Sequence, residues 1–154
     1  MTYQRILVPF DGSKHSKKAL SHAAQIARSD GAIIYLCTII TAQNVVPPGA
    51  LLGLVKEASR GELQKRIISS AKVQAQKEHS DQIKICERLG VRAYSKIIIS
   101  GNIAQEILSV AAKKSADLIV IGSQGLHGVA KLKSLGSVSR KISENASCPV
   151  LIVR

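Results

Sequence analysis

Short, almost wholly apolar runs alternate along this chain with longer stretches whose apolar residues fall at helical spacing. Residues 3–10 (YQRILVPF), 32–40 (AIIYLCTII), 91–100 (VRAYSKIIIS), 118–121 (LIVI) and 149–153 (PVLIV) are the apolar runs. At this length, rich in β-branched residues and without strict alternation, they predict strands buried on both faces. Between the first two, 14–29 places Ala19, Leu20, Ala23, Ala24 and Ala27 on one face of a helix. Ser13 can cap its start, in a turn made with Asp11 and Gly12, and Asp30-Gly31 ends it.

The remaining segments follow suit. A loop around Pro47-Pro48-Gly49 leads into a long helical stretch, 54–88, in which Leu63, Ile67, Ala71 and Ala75 share a face. Gly61 and the polar Ser80-Asp81 are places where it can kink or break. Gly90 closes it. A short amphipathic helix over 103–114 turns Ile103, Ile107, Leu108 and Ala111 inward, and another spans 137–144.

Strands alternating with helices, with each strand nearly all apolar, describe a parallel sheet covered on both sides. No internal repeat or linker divides the chain, so one domain over 1–154 is expected. In such sheets ligands sit beyond the carboxyl ends of the strands, where the winding direction reverses. Asp11 follows the first strand and Gly122 the fourth. Both therefore come to the same edge.

Composition narrows the class. At 154 residues the chain can bury roughly 70% of its unfolded surface, enough for a core without staples. Only 3% of residues are aromatic, so that core is aliphatic. No run reaches the ~20 apolar residues of a membrane span. The N-terminus enters the first strand without a basic, then apolar, leader, so the expected location is cytoplasmic. Cys37, Cys86 and Cys148 lie too far apart for a zinc motif and are odd in number, which reads as reduced thiols.

The net charge of +12, from 22 basic and 10 acidic residues, fits an anionic partner or a solvated surface equally well. With one Phe, three Tyr and no Trp there is little to stack bases, and no nucleic-acid-binding signature is present, so nucleic acid is not the expected partner. Lys14, Lys17 and Lys18 crowd the first turn of the first helix, the wrong end for positive charge, where either an anion or plain solvation could offset them.

The candidate chemistry lies in GSQGLHGVAKLKSLGS, from Gly122 to Ser137, directly after the fourth apolar run. Glycines allow close approach of the backbone to an anion, and a helix opening at Gly136-Ser137 offers unpaired amides and a partial positive charge. That is a phosphate-cradling layout, although an ordinary glycine-rich connection would read the same. His127, inside the loop, could donate to a phosphate or simply face solvent. His15 and His22 are two turns apart on one helix and read as surface residues. No Walker motif, nucleophile elbow or pair of carboxylates at acid–base spacing accompanies the loop, so no turnover site is expected.

ILVPFDGS near the start, ADLIVIGSQG in the last third, LGSVS and the closing CPVLIV resemble, in order and spacing, the universal stress protein family. The resemblance implies a Rossmann-like α/β fold of the adenine nucleotide alpha hydrolase type, with an open five-stranded parallel sheet of order 3-2-1-4-5. It also implies, for one branch, ATP bound through Gly-x2-Gly-x9-Gly-Ser/Thr. Gly122 and Gly125 match the first two glycines and Gly136 with Ser137 the closing pair, but ten residues, Leu126 to Leu135, stand where the pattern has nine.

By this resemblance Asp11 faces the ribose and base and Ile39 lines the adenine. Gly125, Gly136 and Ser137 hold phosphates through their amides, helped by the hydroxyls of Ser123 and Ser137. An accompanying Mg2+ would be carried by the phosphates rather than by protein ligands. The implied protein is a stress-response binding or switch protein with little or no hydrolysis, a homodimer through the C-terminal strand. The competing expectation is a dimeric interaction module of the same fold that needs no nucleotide.

Overall fold

The computed structural model describes residues 2–45, 57–126 and 134–154. Its elements run β1 (Arg5–Pro9), α1 (Lys14–Asp30), β2 (Ile33–Ile40), α2 (Ala42–Val45), α3 (Glu57–Arg88), β3 (Arg92–Ile99), α4 (Ile103–Lys113), β4 (Leu118–Gly122), α5 (Ser137–Asn145) and β5 (Val150–Val153). The five strands form one parallel sheet of order β3-β2-β1-β4-β5. This is the predicted topology, with boundaries within two residues wherever both ends are described.

Successive residues of a buried strand point to opposite faces, and the core divides accordingly. Ile6 and Val8 of β1, Ile34 and Leu36 of β2 and Leu118 and Val120 of β4 pack beneath α1, with Cys86 and Val91 from the α3–β3 junction. Leu7, Cys37, Ile119 and Ile121 face the other way, onto Ala104, Ile107, Val110 and Ala111 of α4 and Ile142 of α5. The alanines of α1 let that helix lie close to the sheet. All of Ala19, Ala23, Ala24 and Ala27 are buried.

Local signals set the ends of α1 as expected. The Ser13 hydroxyl accepts from the Ser16 amide, and Gly31 ends the helix in the left-handed region at φ 71°. Asn102 caps α4 by accepting from the Gln105 amide at 3.1 Å.

Three expectations are corrected. The long helix is continuous from Glu57 to Arg88, with no break at Gly61 or at Ser80-Asp81. Gly61 costs a helix about 1 kcal/mol relative to alanine, too little to interrupt 32 residues anchored along β2 and β3. A short α2 precedes it where a plain loop was expected, and the Pro47-Pro48-Gly49 turn lies outside the described residues. Finally, β3, at the edge that the order 3-2-1-4-5 assigns it, is not buried on both faces, with Tyr94, Lys96 and Ile99 exposed. Its polar Arg92, Ser95 and Lys96 are what an edge tolerates.

Candidate functional site

The winding reverses between β1 and β4, because β2 and β3 extend to one side of β1 and β4 and β5 to the other. Beyond the carboxyl ends of β1, β2 and β4 opens a cleft of about 570 Å³, within the ~300–1,000 Å³ typical of small-molecule sites. Phe10, Cys37, Ile39 and Ile121 give it an apolar floor; α3 forms one wall and the start of α5 another. A smaller cleft of about 300 Å³ adjoins it, between the start of α4 and Lys141 of α5, and shares Ile103, Ser137 and Val138 with it.

The structure brings Asp11, Ile39, Gly122, Gly125, Gly136 and Ser137 together around this one cleft. Ser123 is not among its lining residues. Its residue is buried behind the wall, where its amide donates to the Val153 carbonyl at 2.7 Å and its carbonyl accepts from the Gly136 amide at 2.8 Å. The Ser139 hydroxyl donates to that same carbonyl at 3.0 Å. Ser123 thus braces the start of α5 through its carbonyl.

Gly136 is engaged in the same bracing. Its amide is already donated to Ser123, so in this conformation it does not face an anion. Gly136 instead serves as the N-cap residue of α5 in extended geometry, with no side chain capping the helix. Ser137 and Val138, in the first turn of α5, line the cleft, with the positive end of a helix that has no side-chain cap behind them. The residue added to the glycine loop does not draw Gly136 away from the cleft. Its 127–133 portion, His127 included, lies outside the described residues.

Gly122 serves packing. A Cβ there would stand 2.7 Å from the backbone carbon of His15, so its bareness lets the start of α1 press against β4. At Gly125 a Cβ would stand 2.8 Å from Asp11 Oδ2. That glycine admits a carboxylate to the loop.

Asp11 does two jobs at once. Oδ1 accepts from the Ser13 amide at 3.0 Å, the turn contact expected of an aspartate at this position, and Oδ2 accepts from the Leu126 amide at 3.1 Å. The second bond staples the glycine loop to the end of β1 across 115 positions of sequence. The lysine cluster is on the solvated side: Lys14, Lys17 and Lys18 are exposed, and none lines the cleft.

Sequence reasoning missed the α3 wall. Ala71, Gln74, Ala75 and Glu78 line the cleft, at the i, i+3, i+4, i+7 spacing that continues the face read from Leu63 to Ala75. Glu78 reaches to Gly12, where a Cβ would lie 2.9 Å from Oε2, and Gln74 Nε2 donates to Oε1 at 3.0 Å.

Next to it His79 is 1% exposed, one further i+4 step along the stripe of Leu63, Ile67, Ala71 and Ala75. Nε2 lies 2.6 Å from Thr38 Oγ1, and Nδ1 lies 2.6 Å from Ser95 Oγ. Thr38 donates its own proton to the Phe10 carbonyl, so towards His79 it can only accept. The proton therefore sits on Nε2, and Nδ1 accepts from Ser95. Burial pulls this imidazole down to about 4, against the opposing charge of Glu78, and it stays neutral. One side chain thus fixes α3 to β2, β3 and the end of β1.

Cys37, on the cleft floor, is pushed up to about 12 by burial and is an unreactive thiol. Among the described residues no three His, Cys, Asp or Glu side chains gather as a metal site, and no helix is long and apolar enough to cross a membrane.

The sequence matches the Universal stress protein family over residues 2–154. The chain belongs to this family. It is 36% identical over 152 residues to universal stress protein MJ0531 of Methanocaldococcus jannaschii, covering 99% of this chain and 82% of that protein.

Among solved structures, the universal stress protein UspA from Lactobacillus plantarum superposes with a TM-score of 0.84 at 19% identity, covering 100% of this chain and 99% of that one. The universal stress protein from Archaeoglobus fulgidus in complex with dAMP superposes with a TM-score of 0.64 at 23% identity, with 100% of both chains covered. Membership accounts for the shared order of strands. The resemblance read from ILVPFDGS, ADLIVIGSQG, LGSVS and CPVLIV is therefore correct at the level of family and fold.

Proposed function

We propose that this universal stress protein binds an adenine nucleotide, ATP foremost, in the cleft between β1 and β4, and works as a binding switch with little or no hydrolysis. The observation that carries this reading is the polarity of the cleft. Uncapped amides of α5 open at one wall, and an apolar floor containing Phe10, Ile39 and Ile121 lies beside them. Phosphates fit the first and a purine fits the second. That a relative of the same fold was captured with dAMP supports it.

In this reading the amides of Ser137 and Val138 hold the phosphates, with the Ser137 hydroxyl as a further donor. A divalent ion travels with a triphosphate, bound by phosphate oxygens, since Asp11 is engaged with two amides. The same engagement leaves Asp11 poorly placed to activate water, which supports binding without turnover. A nucleotide bound beside the Asp11–Leu126 staple bears on how the glycine loop sits against β1. That loop is the element whose position a partner can sense. Self-association through the free edge of β5 belongs to the same proposal, as does residence in the cytoplasm.

A second reading, a nucleotide-independent interaction module, draws on one specific observation. The loop already satisfies two of its amides internally, Leu126 on Asp11 and Gly136 on Ser123.

Ser137→Asp separates the two. An acidic residue in the first turn favours α5 through the helix dipole yet repels phosphate, so lost binding cannot be blamed on lost structure. Titration calorimetry with ATP, with and without Mg2+, should show wild-type binding and at least a roughly tenfold loss in the variant, with the melting temperature held or raised. No binding by the wild type at millimolar ATP, or equal binding by both, defeats the proposal. Because the chain has no Trp and three Tyr, carried-over adenine nucleotide would also stand out at 260 nm.

A further inference from the structure

Two charged side chains line the cleft among the described residues, Asp11 and Glu78. Asp11 has each oxygen bonded to a backbone amide. Glu78 differs. Gln74 holds its Oε1 at 3.0 Å, while no hydrogen bond to Oε2 is made among the described residues. That oxygen lies beside Gly12, 2.9 Å from where a Cβ would stand. The carboxylate is not a free-swinging surface group, because His79, the next residue, ties this turn of α3 to Thr38 and Ser95. A positioned carboxylate with a spare oxygen thus borders, from α3, a cleft that is also lined by the uncapped first turn of α5.

A carboxylate accepts from hydroxyls and repels phosphate. The arrangement gives the cleft a direction: the polyanionic end of a ligand goes to α5, and a hydroxyl-bearing neutral part goes to the wall made by Glu78 and Asp11. In a nucleotide that part is the sugar. We propose that Glu78 is a specificity-determining residue that accepts from free ribose hydroxyls and rejects nucleotides carrying a phosphate on the sugar. This rests on the reading of the cleft as an adenine-nucleotide site. A sugar phosphate placed there would bring nearly two negative charges against two carboxylates, whereas a hydroxyl would gain a charge-assisted hydrogen bond.

The test compares AMP with adenosine 2′,5′-bisphosphate and adenosine 3′,5′-bisphosphate by titration calorimetry, on the full chain and on Glu78→Gln. The substitution keeps the shape and the contact with Gln74 while removing the charge, and a melting curve confirms that the variant folds. Wild type should prefer AMP by about tenfold or more, the scale of one charged hydrogen bond, and Glu78→Gln should narrow that preference to about threefold or less.

If wild type binds AMP but shows no preference, or the preference persists in Glu78→Gln, the assignment to Glu78 is overturned while the nucleotide reading stands. A change confined to base analogues, such as inosine nucleotides, overturns it too, because Glu78 would then be reading the purine. If wild type binds no adenine nucleotide at all, both fall together.

Discussion

His79 shows how one residue can carry a whole wall of the cleft. Its imidazole is neutral, donating to Thr38 and accepting from Ser95, and burial holds it at about 4 against an ordinary value of 6.5. Because the folded value is depressed, the unfolded chain binds the extra proton first. The His79 contribution is therefore fully present above pH 6.5 and is lost as pH falls towards 4. Over that window it amounts to something on the order of 3 kcal/mol. Urea unfolding at pH 7 and pH 4.5 should show a larger fall in midpoint for wild type than for His79→Gln, which cannot titrate. Equal falls would mean that the imidazole does not sense the interior as this geometry requires.

At the scale of elements, α3 and the glycine loop behave differently. Most of α3 is solvated, and its continuity through Gly61 reflects contacts elsewhere along its length rather than the preference of that residue. Gly61 is exposed, and a Cβ there would meet nothing within 4 Å. Gly61→Ala should accordingly raise stability by about 0.5–1 kcal/mol. Gly90, which follows the same helix, has equally open space but a φ of 75°, in the left-handed region. Gly90→Ala should lower stability by roughly 1 kcal/mol. Thermal denaturation of the pair gives opposite signs if backbone conformation, not space, decides. The glycine loop was read from sequence as a set of phosphate donors. As an element it is also a brace, since Gly122 admits α1, Gly125 admits Asp11, and the Gly136 amide is spent on Ser123.

For the whole molecule, the sheet leaves two edges, and they are unlike. β3 is long and carries Arg92, Ser95 and Lys96, which discourage pairing, whereas β5 is four residues, VLIV, with Leu151 38% exposed. If a second copy pairs along β5, Leu151→Arg should shift sedimentation at micromolar concentration from dimer towards monomer and leave the melting of the fold nearly unchanged. A wild type that sediments only as monomer would remove the dimer from the proposal. The +12 charge opposes such pairing at low salt, so the association should strengthen as salt is added, up to a few tenths molar.

The sequence by itself determined the alternation of strands and helices, the two-sided aliphatic core and the family. It also placed Asp11 and Gly122 at one edge of the sheet. Each of these follows from spacing within a dozen residues or from a local motif, where strand and helix periods leave a direct imprint. It did not determine which glycine amides remain available, that the Ser123 carbonyl braces α5, or how far the edge strand β3 stays exposed. Nor did it single out Glu78 and His79, although both continue the α3 stripe that begins at Leu63. These were decided by bonds between residues far apart in the chain, Leu126 on Asp11, His79 on Thr38 and on Ser95. Such bonds depend on how α3 and the glycine loop settle over the ends of β1 and β2, and local periodicity carries no record of that.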